Sequence, residues 1–282
     1  MAKIVVSLLT YNSAKHLELC LAHIAAQTFN DFELVCRDNN STDDSVALVS
    51  RLAPGCRVIS QKTNDGFSRG HNATIRETQS EYVCILNADV ALLPSYFDEC
   101  IAFLDRNPAA GAVSGLLLKT NTLTEKPADG IIDSSGIELL KTGECRNANA
   151  GKPASVCGDT TRVLGVPATA AVYRRSALED VAMEIGGRKE YFDEDFFMYK
   201  EDVDLAVRFA LRGWEAYTLP LTRAHHIRST APKRFVRPSS FINRLSYRNH
   251  CFLLINTIPT DVFKRYWLWI ALYECVKFLY NK

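Results

Sequence analysis

Two acidic clusters have the residue types and spacing for chemistry. In "FFMYKEDVDLAVRFALRGW", Glu201, Asp202 and Asp204 crowd the start of a segment whose apolar positions, Val203, Ala206, Val207, Ala210 and Leu211, recur at helical spacing. Acidic side chains are favourable at a helix N-terminus through the dipole, and that alone would account for them. Yet Phe196, Phe197, Met198 and Tyr199 stand nearby. A carboxylate partly buried among such neighbours has its pKa raised toward that of a useful general base, while the dipole pulls it down. In "ILNADVALLP" a strand-like run is interrupted by Asn87 and Asp89. Bare burial of such groups is costly. The pair either caps the next helix or points two oxygens at one hard cation, Mg²⁺ or Mn²⁺. His225 and His226 end "EAYTLPLTRA" and can supply a nitrogen, which Mn²⁺ tolerates more readily than Mg²⁺. Only one of the two is expected to face the site.

Three further loops suit a nucleotide. Asp38, ending "FELVCR", can accept the N3 hydrogen of a pyrimidine, with Thr10 and Asn12 of "TYNS" within reach of base or ribose. The plainer reading makes Asp38 and Asn39 turn residues that begin a helix. Tyr11 and Asn40 stand in the same two loops and join the candidate set. "NDGFSRGHN" sets Gly66 and Gly70 near Phe67, so that backbone amides can approach a ligand, and Arg69 suits a phosphate oxygen. It lacks the dinucleotide fingerprint and is weak alone.

The elements that must position these loops alternate. "IVVSLL", "FELVCR", "CRVIS" and "YVCIL" read as strands, and the segments between them as helices, with Ser13 or Asn12 capping the first and Ser41 the second. Such alternation on short connections implies a mostly parallel, right-handed α/β sheet. The polar loops all lie at strand carboxyl ends, where open α/β sheets bind ligands, so they are expected to converge on one crevice. Residues 120–162 are weakly periodic and read as a hairpin or loop excursion. The expected division is 1–237 as one domain (1–120 nucleotide-binding, 121–237 acceptor-binding and catalytic) and 238–282 as a helical, amphipathic tail.

Bulk properties exclude several classes. A net charge of +1 argues against nucleic acid or an acidic polymer as partner. Nine cysteines without a CxxC pair read as reduced, packed thiols of a cytoplasmic protein, not a zinc site. "MAKIVVSLLTYNS" enters a strand directly, without the apolar core of a signal peptide. No apolar run approaches the ~20 residues of a spanning helix. The aromatic tail "VFKRYWLWIALYECVKFLY", with Lys264, Arg265 and Lys277, reads either as a core helix, also usable as a homodimer contact, or as an interfacial helix on the inner face of a membrane.

Taken in order, "VSLLTYNS", "DNNSTDDS", "NDGFSRGHN", "LNADV", "YFDEDFFMYKEDVDLAVRFALRGW" and "AHHIRST" resemble the inverting family-2 glycosyltransferases, closest to bacterial rhamnosyltransferases that use dTDP-L-rhamnose. The resemblance covers about residues 3–230. It implies the GT-A fold, a Rossmann-like sheet flanked by helices. It implies that Thr10, Asn12 and Asp38 hold the nucleotide, and that Asn64, Gly66, Phe67 and Asn72 line the diphosphate and sugar. Asn87-Ala88-Asp89 becomes the counterpart of the family's cation-binding DxD, with Asn in place of the first Asp. Glu201-Asp202 becomes the family's acidic pair, with Asp202 as base. His225 is favoured over His226 as metal ligand because its spacing to Ser229 resembles H-x-x-x-S. The implied acceptor is a glycan or polyprenyl-linked saccharide of cell-surface polysaccharide synthesis. The acceptor-side stretch "VLGVPATAAVYRR", with the longer linker "EIGGRKEY", departs from the family pattern. A UDP-sugar donor, a non-catalytic nucleotide-sugar binding module and a nucleotidyltransferase are the competing readings; the last expects a Gly-rich first loop, which "LTYNSAKH" does not provide.

Overall fold

A computed structural model describes residues 1–120, 130–227 and 240–280. Its first part alternates as the apolar periodicity requires: β1 (Ile4–Thr10), α1 (Ala14–Ala25), β2 (Phe32–Asp38), α2 (Ser45–Leu52), β3 (Arg57–Ser60), α3 (Gly66–Arg76) and β4 (Tyr82–Asn87). Then follow β5 (Val90–Leu92), α4 (Tyr96–Arg106), β6 (Ala110–Thr120), β7 (Ile131–Ser134), β8 (Ile137–Leu139), β9 (Cys145–Asn147) and β10 (Thr161–Val163). The remainder comprises β11 (Ala170–Arg174), α5 (Arg175–Val181), β12 (Met183–Ile185), β13 (Arg188–Glu190), α6 (Glu201–Leu211), β14 (Glu215–Ile227), α7 (Ser240–Phe252) and α8 (Thr260–Tyr280).

The main sheet runs β10-β14-β6-β11-β4-β1-β2-β3, with β5 on β14 and β7 on β6. It is parallel across β4-β1-β2-β3 and mixed beyond, where β11 lies antiparallel between β4 and β6. Helices cover both faces, which is why the central strands are apolar throughout and do not alternate. Ile4, Val6 and Leu8 of β1 join a core with α1, α2 and α4 through Leu17, Leu21, Val49, Phe97 and Leu104. Val5, between them, faces the opposite core with Ile75, Leu178, Leu205 and Phe209 of α3, α5 and α6. In-register pairing sets Thr10 beside Asp38 and Leu9 beside Asn87, so three polar strand ends stand in a row. Neither Ser13 nor Ser41 caps as expected: Ser13 and Asp44 precede α1 and α2 without a side-chain cap bond, and the Ser41 hydroxyl is given to Asp38. All nine cysteines are free thiols.

The half of the sheet carrying β14 is pinned through Tyr96. Its buried hydroxyl donates to Ala170 O (2.7 Å) and accepts from Gly115 N (2.9 Å), tying α4 to β11 and β6 at once. A Cβ on Gly115 would meet Thr222 O at 2.6 Å and the Tyr96 ring at 2.7 Å. Backbone cannot yield as a side chain does, so Gly115→Ala is expected to cost about 1–3 kcal/mol of unfolding free energy by urea denaturation. A loss under about 0.5 kcal/mol, the range of an ordinary surface substitution, would mean that β6 and β14 part freely.

Candidate active site

At the carboxyl end of β4 lies a cavity of about 450 Å³, lined among others by Phe67, Asn87, Asp89, Asp202 and His226; Thr10, Asn12 and Asp38 are not part of its lining. That volume is within the range of small-molecule sites. Asn87 ends β4, its amide held by Thr169 O (3.0 Å), and Asp89 follows on the turn into β5. β14 brings in the histidines beside β5, pairing His225 with Ala91 and His226 with Val90. Neighbouring strand residues face opposite sides, so one histidine alone enters the cavity.

It is His226, not His225. The His226 Nε2 lies 3.5 Å from Asp89 Oδ1, and its Nδ1 lies 2.8 Å from Asp133 Oδ2. Burial lowers its pKa, but the hydrogen bonds to the two carboxylates outweigh this and raise it to about 9. His225 turns to the other face, where burial and then the neighbouring His23 and Arg223 lower its pKa. Spacing to Ser229 misled here because it carries no facing information; Ser229 itself lies outside the described residues. No cluster of three or more His, Cys, Asp or Glu among the described residues has the arrangement of a preformed metal cage. The donor set still fits a cation: an amide oxygen, a carboxylate and an imidazole that offers Nε2 once a metal displaces its proton, while Nδ1 stays on Asp133. Ligands at about 2.1 Å from one ion stand about 3 Å apart when adjacent, close to the 3.5 Å seen between Asp89 and His226.

Opposite this group the chain makes an unusual bend. Met198 N donates to Phe196 O (2.7 Å) around Phe197, which has φ 63° and ψ −60°; Tyr199 and Lys200 follow at φ 71° and 73°. The bend delivers Glu201 and Asp202 as the first residues of α6. Asp202 accepts from Val203 N (2.9 Å) and Ala168 N (3.4 Å), on the cavity wall. Burial raises the pKa of both carboxyls; for Asp202 the two backbone amides oppose it. Glu201 is pushed well above its usual range, by burial first and then by the neighbouring Asp202 carboxylate; its buried Oε2 has no hydrogen-bond partner among the described residues. Of the two, Asp202 has the backbone donors that favour an ionised carboxylate.

The other expected residues divide. Thr10, Asn12 and Asp38 come together but bond one another's loops: Thr10 Oγ1 donates to Asp38 (3.0 Å), as does Ser41 N (2.9 Å), and Asn12 Oδ1 accepts from Thr42 N (2.8 Å). Tyr11 is exposed, Asn40 adopts φ 63°, and Ala88 is buried. Asn64 accepts from Gly66 N (3.0 Å) at the start of α3, and Phe67 lines the cavity. Arg69 and Asn72, expected at the diphosphate, are engaged elsewhere in this structure. Arg69 pairs with Glu194 (2.8 Å), and Asn72 bonds the backbone of Tyr191 and Phe192. Sequence reasoning passed over Asp133, in the aperiodic excursion, and Ser246, on the wall from α7. Neither has a local signal beyond its polarity.

Residues 6–182 match the sequence profile of glycosyl transferase family 2. The chain belongs to that family. Among curated family relatives, the N-acetylglucosaminyl-diphospho-decaprenol L-rhamnosyltransferase of Mycobacterium tuberculosis is 26% identical over 247 residues, 77% of this chain and 73% of its own. The fold is that of GT-A transferases. A mannosyltransferase from Pyrobaculum calidifontis, solved with GDP-Man and Mn²⁺, superposes with a TM-score of 0.60 at 19% identity, covering 96% of this chain and 69% of its own. S. aureus TarS gives 0.60 at 18% identity, covering 93% of this chain; this chain spans 41% of TarS.

In this family-2 chain the protonated Glu201 has a measurable signature. Once unfolded, its carboxyl loses the proton above about 4.5, whereas the folded one keeps it. The unfolded state then binds fewer protons, so stability falls as pH rises above that value. Glu201→Gln, which mimics the protonated form, is expected to gain stability relative to the wild type between about pH 5 and pH 8, measured by urea denaturation. Parallel pH profiles for the two proteins would show Glu201 to be ionised in the fold.

Proposed function

We propose that the protein is an inverting transferase that moves L-rhamnose from dTDP-L-rhamnose to a saccharide carried on a polyprenyl diphosphate. One observation carries the reading: a single cavity holds a carboxylate fixed by two backbone amides, Asp202, together with the Asn87, Asp89 and His226 set. Asp202 takes the proton from the acceptor hydroxyl as that oxygen attacks the anomeric carbon from the face opposite the leaving dTDP. A single displacement inverts the anomer and needs one catalytic carboxylate. Asn87, Asp89 and His226 would hold a divalent cation, which supplies Lewis-acid stabilisation of charge on the leaving diphosphate. Thr10, Tyr11, Asn12, Asp38 and Asn40 form the nucleotide side, and Asn64, Gly66 and Phe67 the approach to the diphosphate. Arg69 and Asn72 brace the 191–194 segment. The rhamnosyl donor and the lipid-linked acceptor are supported by the mycobacterial relative's name. The placement of Asp202 favours a transferase over a non-catalytic sugar-nucleotide binding module.

Asp202→Asn is expected to lower turnover at least ~10³-fold, at the strong end for loss of a general base, while calorimetric titration with dTDP and Mn²⁺ gives a near wild-type Kd. Unchanged turnover would remove Asp202 from the chemistry. Tighter binding of UDP than of dTDP would move the donor to the UDP-sugar reading.

The same reading places the protein at the inner face of the cytoplasmic membrane. No helix among the described residues is long and apolar enough to cross a membrane. Yet among its described side chains α8 buries only Ile270 and exposes Trp267, Leu268, Trp269, Leu272 and Val276, with Lys264 and Arg265 beside them. Exposed aromatic and aliphatic side chains interspersed with cations suit an anionic interface. The chain is expected to co-sediment with anionic liposomes at low salt, and Trp267→Ser/Trp269→Ser to release it. Failure to bind, with a dimer in sedimentation, would give these side chains to a second copy.

A further inference from the structure

The bend that carries the acidic pair is expensive. Phe197 at positive φ in a three-residue turn, then Tyr199 and Lys200 in the left-handed region, cost about 1–3 kcal/mol each and persist only where surroundings over-determine them. What determines them comes from α7, beyond the residues that match the family profile. The Asn249 side chain is fully buried, and its Nδ2 lies within hydrogen-bond distance of Phe196 O (2.9 Å), Met198 O (2.8 Å) and Tyr199 O (2.8 Å), so that its two hydrogens serve three carbonyls with one of them shared. The amide's orientation follows from chemistry: its Oδ1 accepts from Arg248 Nε (3.0 Å) and Nη2 (2.8 Å), and a guanidinium only donates. Arg248 Nη2 also reaches Asp195 O (2.7 Å) and Phe196 O (3.2 Å). The one carbonyl Asn249 leaves, Phe197 O, accepts from Phe67 N (2.6 Å) and Ser68 N (3.4 Å) at the start of α3. Gly66 makes room for this contact: it has φ 82°, and a Cβ there would meet the Phe197 ring at 2.5 Å and Phe197 O at 2.6 Å. Every carbonyl from Phe196 to Tyr199 is thus held, three by one side chain of α7 and one by α3.

We infer that Asn249 is a positioning residue for the transfer step, holding the 196–200 bend in the strained form that aims Asp202 into the cavity. The inference rests on Asp202 being the base. Misplacing a reacting group by about 1 Å costs on the order of 10²-fold in rate, whereas the hydrogen bonds found for Asn249 among the described residues run to the bend and to Arg248, not to the nucleotide side at β1 and β2.

The test uses the full chain. Asn249→Asp keeps the size and the Arg248 bonds but has no donor for the three carbonyls. It is expected to lower kcat about 100-fold or more in dTDP release from dTDP-L-rhamnose with N-acetylglucosaminyl-diphospho-polyprenol, with Kd for dTDP and Mn²⁺ within about threefold. Amide exchange across 197–204 is expected to accelerate while β1 and β4 stay protected. Arg248→Met, at an exposed side chain that leaves the core intact, is expected to act in the same direction by about five- to tenfold, the worth of an ordinary hydrogen bond. Wild-type kcat in Asn249→Asp, equal losses in kcat and dTDP affinity, or unchanged exchange across 197–204 would overturn the inference. Asp202→Asn in parallel separates the two claims: if it keeps turnover, the base assignment falls; if it is inactive while Asn249→Asp is active, only the positioning role falls. The exchange measurement needs no acceptor and decides by itself if the chosen acceptor is not used.

Discussion

Everything in this site follows from the cost of burying a charge without a partner. α6 begins with two adjacent carboxyls in an apolar wall, and the fold cannot ionise both. It resolves the conflict by unequal solvation. Asp202 receives two backbone amides, while Glu201 Oε2 receives none among the described residues, and burial raises its pKa well above the usual range. Two neighbouring acids of nearly equal intrinsic strength are thereby given unequal surroundings, one with backbone donors and one without. The division needs Ala168 N at one particular place, which β11 and the loop before it provide.

The opposite wall solves the same problem differently. Asp89 and Asp133 are brought toward one another from β5 and β7, and His226 stands between them with one ring nitrogen toward each. An Asn at position 87 in place of a second Asp reduces the negative charge that this wall must accommodate. The neutral amide and single carboxylate suit a cation that arrives with a diphosphate, since Mg²⁺ is usually held by few protein groups plus phosphate oxygens.

How much of this the sequence reveals depends on where periodicity exists. β1, β2 and β4 are legible because buried parallel strands are unbroken apolar runs, and their polar ends then have to stand in one row, as Thr10, Asp38 and Asn87 do. The facing of β14 is not legible from spacing: its pairing with β6 shifts register between Leu219 and Arg223, which resets the alternation before the histidines arrive. Asp133 sits in an excursion with no pattern to phase it. Arg69 and Asn72 were visible as polar residues near a glycine, but their partners, Glu194 and the 191–192 backbone, lie about 120 residues away. Sequence also offered no reason to connect α7 with the bend, because a strained backbone is recognised by dihedral angles and not by composition.

That connection bears on how far family membership reaches. The matched stretch, 6–182, holds the strand ends of the nucleotide side and Asn87-Ala88-Asp89. Asp202, His226 and Asn249 all lie beyond it, so their roles rest on geometry in this chain. The geometry makes them interdependent: α3, within the matched stretch, holds Phe197 O, while α7 holds the carbonyls on either side. A bend stabilised from two directions is stiff only while both helices are docked. The helix α7 is then as much a part of the frame around Asp202 as the sheet is.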